Sequence, residues 1–149
     1  MEVREIELSD GSWPDGLPVV EVRVARPTDK LDEVLAFYCG DLGLTQLFRT
    51  HGDGYEVAMV GLPDEKYHLE FSSRVNGMSP GVAPSDENLL VLYFAIEEQM
   101  FEVVRRLGSA GHQPVELDNP WWRRNGALAF SDPDGWRIVL MPKPIALAG

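Results

Sequence analysis

The side chains of this sequence that could do chemistry lie on one predicted strand, residues 67–72. His68 and Glu70 are two residues apart there, so they share one face of the strand. An imidazole and a carboxylate at this spacing could act as a general base and the acid that orients it, which makes both residues candidates for catalysis. With Glu21 as a third donor, the same pair could hold a metal ion.

A structural role for the same residues is the alternative. Glu70 would then form an ion pair with Arg23 or Arg137, and His68 would lie at a partly solvated wall. Clusters of this kind arise from ion pairs as well as from catalytic sites. The spacing alone leaves both interpretations open.

A second candidate site is the pair Trp121 and Trp122, which follows Asn119-Pro120 and precedes two arginines. Two adjacent large aromatic residues are unusual in a predicted loop. One ring could cap a binding cleft and stack on a flat or cationic ligand. Alternatively, one ring fills core beneath the loop and the other covers a dimer contact.

The elements that must position these residues occur in the same order twice. A strand, a helix and three further strands are predicted in residues 17–73 and again in residues 89–143, with a Pro- and Gly-containing linker at 74–88. The first helix is expected to begin with Thr28 or Asp29 as its N-cap. Strands are predicted at about 17–25, 46–50, 55–60, 67–72, 89–96, 113–116, 127–130 and 136–141, and the second helix at 97–107.

The spacing of matching positions supports an internal repeat. Leu31 and Met100, on the apolar stripes of the two predicted helices, are 69 residues apart. Glu70 and Val139, on the last strand of each half, are also 69 residues apart. We therefore expect one α+β domain made of two βαβββ modules.

The last strand follows a strong turn signal, the segment Asp132-Pro133-Asp134-Gly135. After the turn, Trp136, Ile138 and Leu140 alternate with Arg137, Val139 and Met141. The first set is expected to face the core. The second set would then line a cleft.

Composition narrows the partners and the compartment. The formal net charge of −11 argues against nucleic acid and against anionic membranes. Cys39 is the only cysteine, so no disulfide can form within the chain, and a cytoplasmic protein is expected. The sequence contains no apolar run of membrane-spanning length.

Two motifs resemble a known family. Residues 35–44 contain the "FY…LGL" signature, and residues 132–140 contain the closing "DPDG-aromatic" turn and strand, of the vicinal oxygen chelate superfamily. That superfamily includes glyoxalase I, bleomycin-resistance proteins, fosfomycin-resistance enzymes and extradiol dioxygenases. The resemblance implies a curved mixed sheet around a cleft, often in a homodimer, with one divalent metal held by the first and last strand of each module.

The positions that the resemblance assigns to metal ligands are Val19, Glu70, Val91 and Val139. Valine offers no lone pair, and one carboxylate alone would not hold a divalent ion against water. The resemblance therefore implies the fold, whereas these residues predict that no metal cofactor is bound. The weak alternative is a rearranged site on Glu21, His68 and Glu70.

The sequence thus favours a metal-free protein of the bleomycin-resistance type that binds a small molecule, which could be cationic. The alternatives are a metal-dependent lyase or dioxygenase with the rearranged site, and a metal-independent isomerase or lyase that uses His68 or Glu70 as its base. The residues expected to line the binding cleft are Glu21, Arg23, His68, Glu70, Tyr93, Trp121, Trp122 and Arg137.

Overall fold

Two small sheets and the helices packed on them make up the computed structural model, which describes residues 16–64 and 66–145. The prediction of an α+β fold with two sheet modules is confirmed. Module one contains β1 (Val22–Pro27), α1 (Leu31–Leu35) with a π-helical continuation (Ala36–Asp41), β2 (Thr45–Gly52), β3 (Tyr55–Gly61) and β4 (Tyr67–Arg74). Module two contains β5 (Leu89–Tyr93), α2 (Glu97–Ser109), α3 (Pro120–Arg124), β6 (Leu128–Ser131) and β7 (Arg137–Met141).

The first strand of each module lies beside the last. The strand order is β1-β4-β3-β2 in one sheet and β5-β7-β6 in the other. β1 runs parallel to β4, and β5 runs parallel to β7, while the remaining pairs are antiparallel. A parallel pair needs a crossover connection, which the helix of each module provides. β1 and β5 are therefore edge strands.

One core joins the two modules. Side chains of the first helix, of β3 and β4, of α2 and of β6 and β7 pack together in it. The predicted core face of β7 is confirmed, because Ile138 and Leu140 are fully buried. The buried core includes Val34, Phe37, Tyr38, Ala58, Val60, Phe71, Met100, Leu107 and Phe130.

β1 is shorter and more exposed than the sequence predicted. It begins at Val22 rather than near residue 17, and it continues to Pro27. Val24 pairs with Leu69, so it lies on the sheet face that carries the buried side chain of Phe71. The side chain of Val24 is nevertheless 61% exposed. Alternation identified the correct face, but the helix layer covers β3 and β4 and leaves this edge strand open.

The predicted N-cap of the first helix is wrong. Lys30 is the N-cap, and no side chain caps it. The hydroxyl of Thr28 instead accepts a hydrogen bond from the Lys30 N–H at 3.0 Å, and the Asp29 carboxylate accepts one from Ser79 at 2.6 Å. Both side chains thus stabilise the turn that leads into the helix.

Two predictions in module two also differ from the structure. The strand expected at 113–116 is reduced to one bridge, between Val115 and Ala129. The expected loop around Trp121 is a short helix, α3, in which the Asn119 side chain accepts from the Trp121 N–H at 3.0 Å. Asn-Pro is a helix-start signal, but five residues are too few to show helical periodicity.

α2 is a 13-residue helix whose side chains also contact the end of the first helix. Its acidic first turn and Arg106 near its end suit the helix dipole, as predicted. The Arg106 guanidinium donates to the backbone carbonyls of Asp41 and Leu42, where the first helix ends. Among the helices of the described residues, none is long and apolar enough to cross a membrane.

Candidate functional site

A cavity of about 270 Å³ is lined by residues from the first and last strands of both modules. We call it the inter-module cavity. Its walls are mainly aliphatic and aromatic, and its charged side chains are Arg26, Glu70 and Arg137. The full set of lining residues is Val24, Ala25, Arg26, Tyr38, Leu69, Glu70, Phe71, Asn88, Leu89, Leu90, Trp136 and Arg137.

Arg26 forms part of the wall because β1 carries it on the core-facing side. It pairs with Phe71 in the register between β1 and β4. Its guanidinium carbon lies 4.9 Å from the centre of the Phe71 ring and 4.7 Å from that of the Trp136 ring. A guanidinium between two aromatic faces gains cation–π attraction, so these rings fix its position.

Asp132 is the anion that balances Arg26. Its Oδ2 accepts from the Arg26 guanidinium at 2.7 Å and from the Tyr38 hydroxyl at 2.6 Å. Its Oδ1 accepts from the backbone N–H groups of Asp134 and Trp136 at 2.8 and 2.9 Å. Burial raises the pKa of Tyr38 far above its ordinary value, so this hydroxyl stays protonated and donates. One fully buried carboxylate thus shapes its own turn and links the two modules.

Two residues that line this cavity each carry a buried donor without a partner. Within the described residues, the buried Nε atoms of Arg26 and Arg137 make no hydrogen bond. The Nη2 atom of Arg137 donates to the Asp86 carboxylate at 3.1 Å, so the charge of Arg137 is balanced although its Nε is not satisfied. A buried unsatisfied donor costs about 1–3 kcal/mol.

His68 and Glu70 are both engaged by Arg23. Arg23 donates from Nε to His68 Nε2 at 2.9 Å and from Nη1 to Glu70 Oε1 at 3.2 Å. The ion pair between Glu70 and Arg23 is the structural alternative that the sequence left open. Because His68 Nε2 accepts, its proton lies on Nδ1, which assigns the neutral tautomer. His68 is only 7% exposed, so the expected partly solvated wall is wrong.

The strand register corrects one of the four positions that the resemblance assigns to metal ligands. Val91 lies opposite Val139, but the residue opposite Glu70 is Ala25 and not Val19. The four positions are therefore occupied by Ala25, Glu70, Val91 and Val139. Three of these four side chains offer no lone pair to a metal ion.

The rearranged site has no better support from geometry. Glu21 is exposed and precedes β1, while Glu70 and His68 are occupied by Arg23. Among residues 16–64 and 66–145, no three His, Cys, Asp or Glu side chains are grouped so that they could hold a metal ion. The residues present do not fit the divalent metal that the fold implies.

The face of β7 that was expected to line a cleft is mostly buried. Val139 and Met141 pack with Ala129 in a second cluster, so their prediction as cleft residues is wrong. Side chains from the segment before β6 cover this cluster, Trp122 among them. Only Arg137, at the start of β7, reaches the inter-module cavity.

The remaining predicted residues lie outside the inter-module cavity. Glu21, Tyr93 and Trp121 are exposed and line neither cavity of the described residues. Trp122 is half-buried and lines a different cavity, within module two. Of the eight residues expected in the cleft, Glu70 and Arg137 line it, and Arg23 and His68 contact Glu70 or its partner.

Sequence reasoning missed Arg26 and assigned Trp136 only to the core. The signal for Arg26 was available, because continuing the alternation of Val22 and Val24 by two residues puts an arginine on an apolar face. A lone cation on such a face needs a buried anion. Nothing in the pattern, however, identified Asp132 as that anion.

The two modules match the models of two known protein domains. The model of the YycE-like N-terminal domain matches residues 22–72, and that of the YycE-like C-terminal domain matches residues 87–142. YycE of Bacillus subtilis (strain 168) is 42% identical over 123 residues, which are 81% of this chain and 86% of that protein. The crystal structure of Bacillus subtilis YycE, a protein of unknown function, superimposes with a TM-score of 0.81 at 34% identity, covering 93% of this chain and 99% of that chain.

More distant structures share the fold alone. TnmS3, an antibiotic binding protein from Streptomyces sp. CB03234, gives a TM-score of 0.63 at 21% identity, covering 87% of this chain and 99% of that chain. The fosfomycin resistance protein FosX from Mesorhizobium loti gives 0.63 at 12% identity, covering 89% and 95%. This chain therefore belongs to the YycE-like family, within the vicinal oxygen chelate superfamily.

Proposed function

We propose that this protein binds a small, largely apolar molecule in the inter-module cavity without a metal ion. The observation that supports this most is the cavity itself, a mainly apolar recess between the modules with three charged side chains in its wall. Small-molecule sites have this composition, and they occur where two structural units meet. At about 270 Å³ the cavity suits a small ligand.

The charges of the cavity favour an uncharged ligand over the cationic one that the acidic composition suggested. Arg26 faces Asp132, Arg137 faces Asp86 and Arg23 faces Glu70, so no negative excess remains at this site. The guanidinium groups of Arg26 and Arg137, which form part of the wall, carry N–H donors and favour a ligand with a hydrogen-bond acceptor. A planar molecule with a carbonyl group has the right chemistry.

Relatives with the same fold give a precedent for binding. TnmS3 is an antibiotic binding protein, and FosX is a fosfomycin resistance protein. We infer a small-molecule ligand for this chain from the cavity, and these proteins show that the fold supports such a role. Their own ligands are not assigned to this chain.

We also propose that the protein is a cytoplasmic homodimer. Apolar side chains remain exposed along the strands of module one, among them Val22, Val24, Leu47 and Phe48. Val22 and Val24 lie on β1, and Leu47 and Phe48 lie on β2, so both edges of this sheet present apolar side chains that a second copy of the chain would cover. Sedimentation velocity should show one species of twice the 16.6 kDa chain mass, and a monomer would contradict the proposal.

Divalent metals are expected to leave the melting temperature unchanged. An ion that binds only the folded state must raise it by mass action. Thermal melts of chelator-treated protein in nickel, zinc, manganese and ferrous iron, with elemental analysis of the purified protein, make the measurement. A stoichiometric metal that is lost in Glu70→Gln or His68→Ala would instead support a rearranged metal site.

Filling the inter-module cavity is expected to abolish binding of a planar carbonyl compound. We choose 1-naphthamide as the probe and Leu90→Trp as the filling change, because Leu90 lines this cavity. Calorimetry should show saturable binding to the native protein and at least about tenfold weaker binding to the variant. The matched control is Leu117→Trp, which fills the other cavity. Equal binding by native protein and Leu90→Trp would contradict the site.

A further inference from the structure

Module two contains a second cavity, of about 360 Å³, which shares no lining residue with the inter-module cavity. We call it the α3 cavity. It lies between the segment that leads to α3, the helix itself and the start of β6. Its apolar floor includes Val115, Leu117 and Ala127, which pack on the second core cluster.

Trp122 lines the α3 cavity and also packs on the second core cluster. The Trp121 ring holds it edge-on, with centroids 5.1 Å apart and planes at 87°. The helix is fixed at both ends, since Asn119 caps its start and the Asn125 side chain donates to the Trp121 carbonyl at 2.8 Å. The aromatic wall is therefore preformed.

The rim of the α3 cavity carries more negative than positive charge. Glu116, Asp118 and Arg123 line it. The Arg123–Glu116 pair is weak, because its atoms are 3.7 Å apart and the two side chains are 85% and 88% exposed. Asp118 takes part in no ion pair of the described residues.

We propose that the α3 cavity binds a small organic cation, with an alkylammonium group against the Trp122 ring and the carboxylates of Glu116 and Asp118 balancing its charge. An indole face is the best aromatic partner for a cation, and nearby carboxylates add to the attraction. An anion would meet the opposite field. This site is independent of the ligand proposed for the inter-module cavity.

The first test compares choline with 3,3-dimethylbutan-1-ol, its uncharged isostere. Titrations are followed by the indole N–H resonances of ¹⁵N-labelled protein. Choline should shift the Trp122 resonance saturably and leave that of Trp136, in the inter-module cavity, unchanged. The isostere should bind at least about fivefold more weakly. Equal binding of the two probes, or no saturable shift with choline, would overturn the proposal.

The second test varies the rim charges, which are exposed and do not support the fold. Asp118→Asn and Glu116→Gln should each weaken choline binding about threefold to tenfold, and Arg123→Gln should strengthen it. Glu102→Gln is the matched control, since it removes an exposed carboxylate on α2 and should change nothing. Weaker binding in Arg123→Gln, or equal loss in Glu102→Gln, would exclude a cation site here.

Discussion

Replacing Asp132 with alanine is expected to lower the free energy of unfolding by about 3–5 kcal/mol. The change leaves the Arg26 guanidinium without its anion, inside a cluster of aromatic rings. It also removes the acceptor of the Tyr38 hydroxyl and of two backbone N–H groups in the turn. Urea unfolding followed by circular dichroism measures the effect.

Two comparisons separate this buried pair from an ordinary ion pair. Asp86→Ala also removes an arginine partner, but Asp86 is mostly exposed, so it should cost about 1 kcal/mol or less. Arg26→Met combined with Asp132→Ala should cost less than the sum of the single changes, because no charge is then left unpaired. Strict additivity would show that the pair does not act as a unit.

Val139→Glu places a carboxylate at the fourth position that the resemblance assigns to a metal ligand, and it should destabilise the protein by about 3–5 kcal/mol. Val139 is fully buried in the second cluster, under the side chains that lead to α3. Ala25→His is the matched change in module one, where the position is exposed, and its effect should stay within about 0.5 kcal/mol. Urea unfolding at pH 8 makes the comparison.

The loss in free energy of unfolding caused by Val139→Glu should become smaller as the pH falls. Burial favours the neutral acid, so it raises the pKa of the introduced carboxyl in the folded state above its unfolded value. The folded state then binds more protons than the unfolded state, and the stability of the variant rises relative to native protein as pH falls toward 5. If the loss in free energy of unfolding instead grew as the pH fell, the new side chain would have to reach solvent.

The sequence predicted the fold and the core-facing residues of β7 and α2 well, for a simple physical reason. Alternation along a strand and the 3.6-residue period of a helix depend on each residue's own backbone, so Ile138, Leu140 and Met100 were placed correctly. The boundaries of β1 and α3 were less predictable. The end of an edge strand such as β1 depends on which neighbouring segments cover it. A five-residue helix such as α3 is too short to show helical periodicity.

The site was predicted only in part, because it depends on contacts between distant residues. His68 and Glu70 share one face of β4, and local spacing was enough to group them, while alternation along β1 together with the predicted fold added Arg23. Arg26 and Asp132 are 106 residues apart, and no local pattern connects them. Side chains of the segment before β6 cover Val139, and the path of that segment depends on packing and not on a local sequence pattern. The face of β7 that was predicted to line a cleft therefore belongs to a second core cluster.

The buried pair between Arg26 and Asp132 has a consequence for the motion of the protein. Arg26 belongs to module one and Asp132 to module two, so hinge opening between the modules would separate two desolvated charges. Such opening is expected to be rare, and ligand exchange would then depend on side-chain rotation at the cavity mouth. The binding site would keep one backbone shape with and without ligand, and binding would cost little conformational entropy.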